Sequence, residues 1–312
     1  MDIVVVGYNA GDVIVPVSGP AAADTKVEVP DIMRQGGGPA ATAAVCLARL
    51  GARVRLVTVF GDDDDARLQR AELLAAGVDL ALSVTARGHR SPRAVILVDP
   101  ALETRTIYWS RGVLPALDAS AVDPACLDGA DLLYCDGHEP PAAAALARAA
   151  RGRGLPVVLD AGSVRPGADD LVAACTDVIS STVFAPALTG QDLPGDALKA
   201  LRRLGPRRVA MTFGASGVLA LDEDGPGLHH VPAYDVPVCD TTGAGDAFHA
   251  GYAFALAAGR AWLDALAFGA ATAALKCRGW GGRSTLPTRA EVEALMAADR
   301  RRPDRPPGWP QA

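Results

Sequence analysis

The sequence lacks several patterns that would each indicate a class of protein. Within its 312 residues no run approaches about 18 apolar residues, the length that a membrane-spanning helix needs. Its six cysteines are scattered without a C-x-x-C pair, which argues against a zinc site and against a disulfide framework. The net charge is −6 rather than strongly positive, so nucleic-acid binding is not expected to be the main function.

Two nucleotide-binding signatures and a targeting signal are missing as well. There is no Walker A sequence, and no G-x-G-x-x-G follows the first strand, which disfavours a P-loop or a dinucleotide-binding fold. The opening residues, MDIVVVG, lack the basic region and the long apolar stretch of a signal peptide. We therefore expect a cytoplasmic protein with no membrane or nucleic-acid partner. Half of the residues are hydrophobic, which allows a sizeable core.

Short apolar runs alternate with helical segments along most of the chain. Ile3–Val6 is entirely apolar, as in a strand that is buried on both faces of a parallel sheet. Three glycines and a proline precede a small, apolar segment that ends at Gly51, which predicts a buried helix. This alternation predicts a doubly wound α/β fold.

Two segments interrupt the alternation and predict a separate small sheet that covers a site. They span residues about 12–34 and 90–111 and contain hairpin-like pieces. We therefore predict one domain, residues 1–300, that carries both segments as a lid. Residues 301–312 are rich in proline, and we predict that they form a disordered tail.

The most informative stretch is DTTGAGDAF, from Asp240 to Phe248. It places two carboxylates around a glycine-bearing turn that runs straight into a helical segment. Backbone N–H groups at such a helix N-terminus form an anion hole. Asp246, in the first helical turn, is placed to accept a proton from a hydroxyl that attacks a phosphoryl group, which predicts a phosphotransferase. Alternatively, Asp246 only complements the helix dipole.

Three further stretches, together with DTTGAGDAF, resemble the motifs of one known family. Residues 36–51 read GGGPAATAAVCLARLG, residues 59–63 read VFGDD, and residues 212–217 read TFGASG after a strand. From Ile3 to about Leu295, the chain resembles the ribokinase-like carbohydrate kinases of the phosphofructokinase-B type. Within that family it is most similar to sulfofructose kinases and to ketohexokinase-like members.

The resemblance implies both a fold and a set of ligands. The implied fold is a three-layer α/β/α sandwich with a mostly parallel central sheet and a small β-sheet lid, through which members often form homodimers. The implied donor is ATP with Mg²⁺, and K⁺ is a further candidate cofactor. Asp246 would be the catalytic base, and the turn of Gly243, Ala244 and Gly245 would be the anion hole. The implied nucleotide-binding residues are Thr212, Gly214, Gly217, Thr242, Gly243 and Gly245.

The resemblance also implies residues that bind the sugar. Asp12 matches an acid that hydrogen-bonds sugar hydroxyls, and Gly37 and Gly38 would bring backbone against the sugar. Thr42 is a further candidate. It lies where ribokinases carry Asn, and Ala10 lies where they carry another Asn; both departures argue against ribose.

Further candidates for the sugar site are Asp136 and His138, which follow a strand, and Lys26 in the predicted lid. The carboxyl ends of strands face the ligand crevice in open α/β sheets. Lys26 matches the sulfonate-binding lysine of sulfofructose kinases, but His138 lies where those enzymes are expected to use an arginine. Basic lid residues would either clamp an anionic sugar tail or remain solvated surface charges; they are Lys26, Arg34, Arg105 and Arg111.

Metal binding is less clearly indicated. Asp240 and Thr242 match positions that help to bind a monovalent cation in the family, although both residue types also favour turns. The N-x-x-E motif that organises Mg²⁺ in many members is absent, since the matching residues 181–184 read STVF. Mg²⁺ that is bound largely by ATP phosphates and water needs few protein ligands.

The leading hypothesis is an ATP-dependent kinase that phosphorylates a ketose or an acidic sugar derivative. A nucleoside kinase of the same family is an alternative. The missing N-x-x-E motif leaves open a sugar- or nucleotide-binding regulator that has lost catalysis. A dinucleotide-dependent enzyme is suggested only by the opening strand and Gly7.

Overall fold

The predicted alternation of strands and helices runs through residues 1–306, which the computed structural model describes. The strands are β1 (Asp2–Val6), β2 (Ala10–Pro16), β3 (Met33–Gly37), β4 (Arg53–Val57), β5 (Val59–Phe60), β6 (Val78–Asp79), β7 (Val84–Thr85), β8 (Arg93–Asp99), β9 (Thr104–Ser110), β10 (Leu132–Cys135), β11 (Val157–Ala161), β12 (Asp177–Ser180), β13 (Arg208–Thr212), β14 (Val218–Leu221) and β15 (Leu228–Val231). The α-helices are α1 (Pro39–Leu50), α2 (Asp64–Ala75), α3 (Pro140–Gly152), α4 (Ala168–Ala174), α5 (Phe184–Thr189), α6 (Pro194–Arg203), α7 (Ala244–Ala257), α8 (Trp262–Lys276) and α9 (Arg289–Ala298).

The central sheet has the order β15-β14-β13-β12-β11-β10-β1-β4-β6. Its strands pair in parallel except for the β13–β14 and β14–β15 pairs at one edge. One buried apolar cluster joins one face of the sheet to α1, α2, α7, α8 and α9, and a second joins the other face to α3, α4, α5 and α6. The predicted three-layer α/β/α fold is therefore confirmed.

A second, four-stranded sheet has the order β3-β2-β8-β9. We call this sheet the lid. Its β2–β3 and β8–β9 pairs are antiparallel, and its β2–β8 pair is parallel. Ile14, Ala94, Ile96 and Val98 form a small buried cluster within it. The predicted small sheet is confirmed.

The carboxyl ends of the parallel strands place polar side chains at one edge of the central sheet. Asp136 follows β10, Asp160 lies near the end of β11, and Thr212 ends β13. The amino ends of α1 and α7 open at the same edge, because Pro39, Asp136, Asp160, Thr212 and Ala244 line one cavity there. A ligand site is expected at this edge of an open α/β sheet.

The end of the described chain is attached to the body of the protein. The Arg302 N–H donates to the Ala233 carbonyl, and the Arg301 guanidinium lies 3.6 Å from the centre of the Tyr234 ring. Residues 301 and 302, at which the predicted tail begins, therefore have a cation–π and a backbone partner, respectively. The remainder of that predicted tail, residues 307–312, lies outside the described residues. Within residues 1–306, no helix has both the length and the apolar character to cross a membrane.

Candidate active site

The DTTGAGD turn leads directly into α7. Gly243 precedes the helix with a φ of 72°, a conformation that favours glycine. A Cβ atom at Gly243 would lie 2.7 Å from the Gly282 Cα, so the turn packs closely against a second loop. The Ala244 N–H donates to the Thr241 carbonyl. Among residues 1–306, the N–H groups of Gly243 and Gly245 have no such partner, so these two remain able to bind an anion.

Asp246 lies in the first turn of α7 and lines two neighbouring cavities. Its side chain is half-buried. Burial, together with the negative charge of Asp160, raises the pKa of Asp246 to about 7. A carboxyl group with this pKa can accept a proton near neutral pH.

The larger cavity has a volume of about 580 Å³. Thr212, Gly214 and Gly217 line one part of it, and Ala244 and Gly245 line another. Apolar side chains form a further wall suited to a planar base; they are Val236, Val238, Phe248, Ala270 and Ala274. The cavity therefore brings together four of the six residues that the sequence predicts to bind a nucleotide, Thr212, Gly214, Gly217 and Gly245. The other two, Thr242 and Gly243, line the smaller cavity.

Of these, Gly217 also has a packing role. Its φ is 84°, and a Cβ atom there would lie 2.2 Å from the Val231 carbonyl oxygen. The absence of a side chain is thus required by the close approach of β15. Glycine at this position would be needed whether or not a nucleotide binds.

The smaller cavity, of about 270 Å³, lies between the lid and the start of α7. Asp12 and Gly38 line it together with Thr242 and Gly243, and it shares Asp246 with the larger cavity. Asp12 is buried, and burial raises its pKa to about 7 although the nearby Arg283 opposes the rise. Asp246 thus lies at the junction of the two cavities.

Three predicted sugar-binding residues do not line this cavity; they are Gly37, Thr42 and Lys26. A Cβ atom at Gly37 would lie 2.0 Å from a carboxylate oxygen of Asp12, so glycine permits the approach of β3 to β2. The Thr42 hydroxyl accepts a hydrogen bond of 3.4 Å from Nε of Arg283. Lys26 lies in the exposed connection between β2 and β3, and it lines neither cavity because that connection follows the surface.

The Asp136 carboxylate accepts hydrogen bonds from three backbone N–H groups. One carboxylate oxygen accepts from the N–H groups of Tyr8 and Ala40, and the other accepts from that of His138. These bonds tie β1, the start of α1 and the segment after β10 to one buried carboxylate. The Asp136 carboxylate therefore fixes these segments relative to one another. Asp136 also lines the larger cavity.

His138 belongs to an aromatic cluster above the smaller cavity. Its ring stacks on Tyr8 at 4.6 Å between centres and meets the edge of Trp109 at 6.3 Å. Burial lowers the pKa of His138, and the nearby Asp136 opposes this fall. The ring is therefore a neutral, flat wall near neutral pH.

Arg165, which the sequence analysis does not identify, also lines the smaller cavity. Its guanidinium lies 5.4 Å from the centre of the Trp109 ring, and one of its nitrogens lies 3.4 Å from Nε2 of His138. Its buried Nε has no hydrogen-bond partner, and the Arg165 guanidinium forms no salt bridge with a carboxylate of residues 1–306. No motif identifies Arg165, because it lies in an irregular segment after β11.

The lid arginines have different partners. Arg34 and Arg93 pair with Asp65, and Arg111 pairs with Glu139. Their charges are therefore largely compensated within the protein. Arg105 instead donates to the Thr241 hydroxyl at 2.9 Å and lines both cavities.

Asp160 and His249 are two more residues that the sequence analysis misses. The buried Asp160 accepts a hydrogen bond from the Tyr134 hydroxyl, and His249 Nδ1 lies 3.3 Å from its carboxylate. Burial, together with the charge of Asp136, raises the pKa of Asp160 to about 8. Asp160 could have been identified as a candidate site residue from the sequence, because it is a polar residue near the carboxyl end of an apolar strand.

Asp240 joins the turn before α7 to the loop after α8. Its carboxylate accepts from the N–H groups of Thr242 and Gly281, each at 2.7 Å. The buried Lys276 donates to its backbone carbonyl at 2.8 Å. Among residues 1–306, no group of three His, Cys, Asp or Glu side chains converges as a metal site.

Nearly the whole chain is similar to proteins of one family. Residues 1–289 match the sequence model described as pfkB family carbohydrate kinase. The chain is 30% identical over 301 residues to the ATP-dependent ribose-1-phosphate kinase of Halopiger xanaduensis, covering 93% of this chain and 96% of that protein. It is 28% identical over 264 residues to the ribokinase of Haemophilus influenzae, covering 82% and 85%.

A solved structure shares the fold at similar identity. It is that of a protein from Agrobacterium tumefaciens provisionally named a ribokinase, with a TM-score of 0.89 and 29% identity. The alignment covers 95% of this chain and 97% of that one. The similarity therefore includes both the central sheet and the lid.

Proposed function

The chain belongs to the pfkB family of carbohydrate kinases, and we propose that Asp246 is the base with which it transfers the ATP γ-phosphoryl group to a sugar hydroxyl. It is a phosphotransferase with an alcohol group as acceptor. The position of Asp246 between the two cavities is the observation that carries the assignment of the base.

The residues around Asp246 have separate roles in this proposal. The larger cavity holds ATP, with its phosphates toward the amino end of α7. The N–H groups of Gly243 and Gly245 stabilise the negative charge of the transferring group, an effect worth about 3–4 kcal/mol per well-placed donor. Asp12 accepts hydrogen bonds from sugar hydroxyls and orients the acceptor. Asp246 then takes the proton of the attacking hydroxyl.

Mg²⁺ would accompany ATP in the larger cavity. The carboxyl groups of Asp160 and Asp246 line this cavity, which suits a cation that prefers oxygen ligands. Mg²⁺ bound to the phosphates would neutralise part of their charge. K⁺ beside Asp240 and Thr242 stays a prediction from the sequence, and the Lys276 ammonium, which also contacts Asp240, is the competing occupant.

We propose that the acceptor is an acidic sugar derivative. Arg165 and Arg105 line the smaller cavity, where the acceptor would bind, without a carboxylate partner among the described residues. A guanidinium is well suited to bind a phosphate or a carboxylate. The relative from Halopiger xanaduensis is named for an acceptor that carries a phosphate. Similarity to sulfofructose kinases and ketohexokinases, and a ketose as acceptor, stay predictions.

The base is tested by Asp246→Asn. ADP release is measured with MgATP and a panel of neutral ketoses, ribose, inositol, nucleosides, sugar phosphates and sugar acids. With the acceptor that reacts, we expect kcat to fall by about 10²–10⁴, the usual contribution of a general base, with little change in MgATP affinity. The matched control is Asp264→Asn, an exposed acid in the first turn of α8. Turnover like that of the wild type from Asp246→Asn would contradict the assignment.

The acidic acceptor is tested by Arg165→Met. We expect KM for an anionic acceptor to rise about ten- to hundredfold, because a hydrogen bond to a charged group contributes about 1.5–3 kcal/mol. KM for ATP should not change. The exposed Arg148 on α3 provides the control, Arg148→Met. A neutral acceptor that reacts best and is unaffected by Arg165→Met would count against an acidic acceptor.

A cytoplasmic location, where ATP is available, also remains part of the proposal. So does a homodimer that forms through the lid. The outer face of the lid carries Val95 and Tyr108, which are paired across β8 and β9 and are 41% and 63% exposed. An exposed apolar pair of this kind favours an interface.

A further inference from the structure

The last residue of α8, Lys276, is a fully buried lysine. Its ammonium donates to the Asp240 carbonyl at 2.8 Å and to the Gly279 carbonyl at 3.4 Å. A buried ammonium is stable only when it is paired and hydrogen-bonded. Burial lowers the pKa of Lys276, and the negative charge of Asp240 opposes this fall.

The two carbonyls that Lys276 contacts belong to the two loops that form the base of the anion hole. Asp240 begins the turn before α7, and its carboxylate accepts hydrogen bonds from Thr242 in the same turn and from Gly281 in the loop after α8. The same loops touch again where Gly243 packs against Gly282. Lys276 therefore holds together the backbone that orients the N–H groups of Gly243 and Gly245.

An ammonium group and K⁺ have the same charge and similar size, and backbone carbonyl oxygens can replace the hydration shell of K⁺. The sequence predicts a monovalent cation beside Asp240 and Thr242. A second cation there would compete with Lys276 for the Asp240 carbonyl and would be repelled by its charge.

We propose that the Lys276 ammonium is a built-in monovalent cation that takes the place of K⁺ beside Asp240 and positions the anion-hole turn. The proposal rests on the proposed phosphoryl transfer, because it concerns the same turn. Its consequence is that phosphoryl transfer needs no added monovalent cation. Lys276 acts here as a positioning residue, since it contacts neither cavity.

The first test uses the wild-type enzyme in chloride salts of K⁺, Na⁺ or N-methylglucamine at one ionic strength. We expect kcat and KM for MgATP to agree within about twofold in all three salts. A kcat/KM that is tenfold or more higher in K⁺ than in N-methylglucamine would overturn the proposal. This test needs no variant, so it decides even if every substitution of Lys276 prevents folding.

The second test uses Lys276→Met, which keeps an unbranched side chain of similar length and removes its charge. In N-methylglucamine chloride we expect kcat/KM for MgATP to fall at least tenfold, and we expect K⁺ or NH₄⁺ to restore it. A role confined to apolar packing would not produce rescue that depends on the cation. Lys199→Met, on the surface of α6, should respond to no salt. A folded Lys276→Met enzyme that K⁺ and NH₄⁺ do not rescue would refute the proposal.

Thermal unfolding separates this proposal from the proposed function, because it needs no acceptor. K⁺ or NH₄⁺ should raise the Tm of Lys276→Met relative to N-methylglucamine and leave that of the wild type unchanged. If no acceptor is phosphorylated in any salt, the proposed function fails while this response still tests the cation. Equal responses of wild type and variant would contradict the built-in cation.

Discussion

Three carboxyl groups in and beside the two cavities have raised pKa values. They belong to Asp246 and Asp12, at about 7, and to Asp160, at about 8. Burial is the largest cause in each case, because it disfavours the charged form. The negative charges of Asp160 and Asp136 also raise the pKa of Asp246, that of Asp136 raises the pKa of Asp160, and that of Asp246 raises the pKa of Asp12. The three groups therefore titrate as a coupled set.

This coupling predicts the pH dependence of turnover. Asp246 must be ionised to accept a proton, and its pKa is raised, so activity is lost as the pH falls through about 7. We expect kcat at saturating substrate to fall about tenfold per pH unit below that value. A pH profile between 5.5 and 8.5, with circular dichroism to confirm folding, measures this. A flat profile below pH 7 would argue against a base with a raised pKa.

Helix α7 has a glycine with positive φ at each end. Gly243 precedes it with a φ of 72°, and Gly259 follows it with a φ of 77°. A Cβ atom at Gly243 would meet Gly282 at 2.7 Å, whereas one at Gly259 would meet nothing within 4 Å. The two ends therefore share the same backbone strain but differ in packing.

This difference predicts distinct effects of alanine at the two ends. Gly243→Ala and Gly259→Ala should each destabilise the fold by about 1–2 kcal/mol, because L-residues disfavour this conformation. Only Gly243→Ala should also lower kcat, by tenfold or more, since the turn must shift away from Gly282 and carries its N–H groups with it. Urea unfolding and steady-state kinetics measure the two effects. Equal losses of activity in both variants would show that the anion hole is not the cause.

At the scale of the whole molecule, one face of the lid lies on the smaller cavity and the other faces solvent. Ile96, Ile107 and Trp109 line the cavity, while Val95 and Tyr108 alternate to the outer face. This alternation follows from the period of two residues in a strand. The outer face is therefore the one that would contact a second copy of the chain in the proposed homodimer.

We predict that Tyr108→Glu weakens the proposed dimer, because a charge would have to be buried at the interface. Light scattering after size exclusion, over a range of protein concentrations, should show a larger fraction of monomer than for the wild type. Leu193→Glu, at an equally exposed leucine before α6, is the control. A wild-type protein that is monomeric at every concentration would contradict a lid-mediated dimer.

The strand–helix alternation and the DTTGAGD turn could be predicted because each depends on residues that are neighbours in sequence. A run of consecutive apolar residues identifies a strand such as β1. A glycine-bearing turn before an apolar segment identifies the start of α7. Local patterns were less informative about which residues line the cavities. Lys26 lies outside both cavities, whereas Arg165 was missed.

The basic residues of the lid show why local sequence is insufficient to predict which charges are paired. Arg34, Arg111 and Arg105 are all basic residues of the lid or its border, and no pattern distinguishes them. Asp65 pairs with Arg34 and Glu139 pairs with Arg111, each about 30 residues away in the chain. Only the fold shows that Arg105 has no such partner among the described residues.

The sequence by itself determined the family, the order of the elements and the turn that carries Asp246, because these follow from local patterns and motif spacing. The tertiary structure alone decided which charges line the smaller cavity, which carboxyl groups have raised pKa values and which groups contact Asp240. These properties depend on burial and on distances between side chains of distant segments, as between Asp240 and Lys276, which are 36 residues apart. No local pattern encodes such distances.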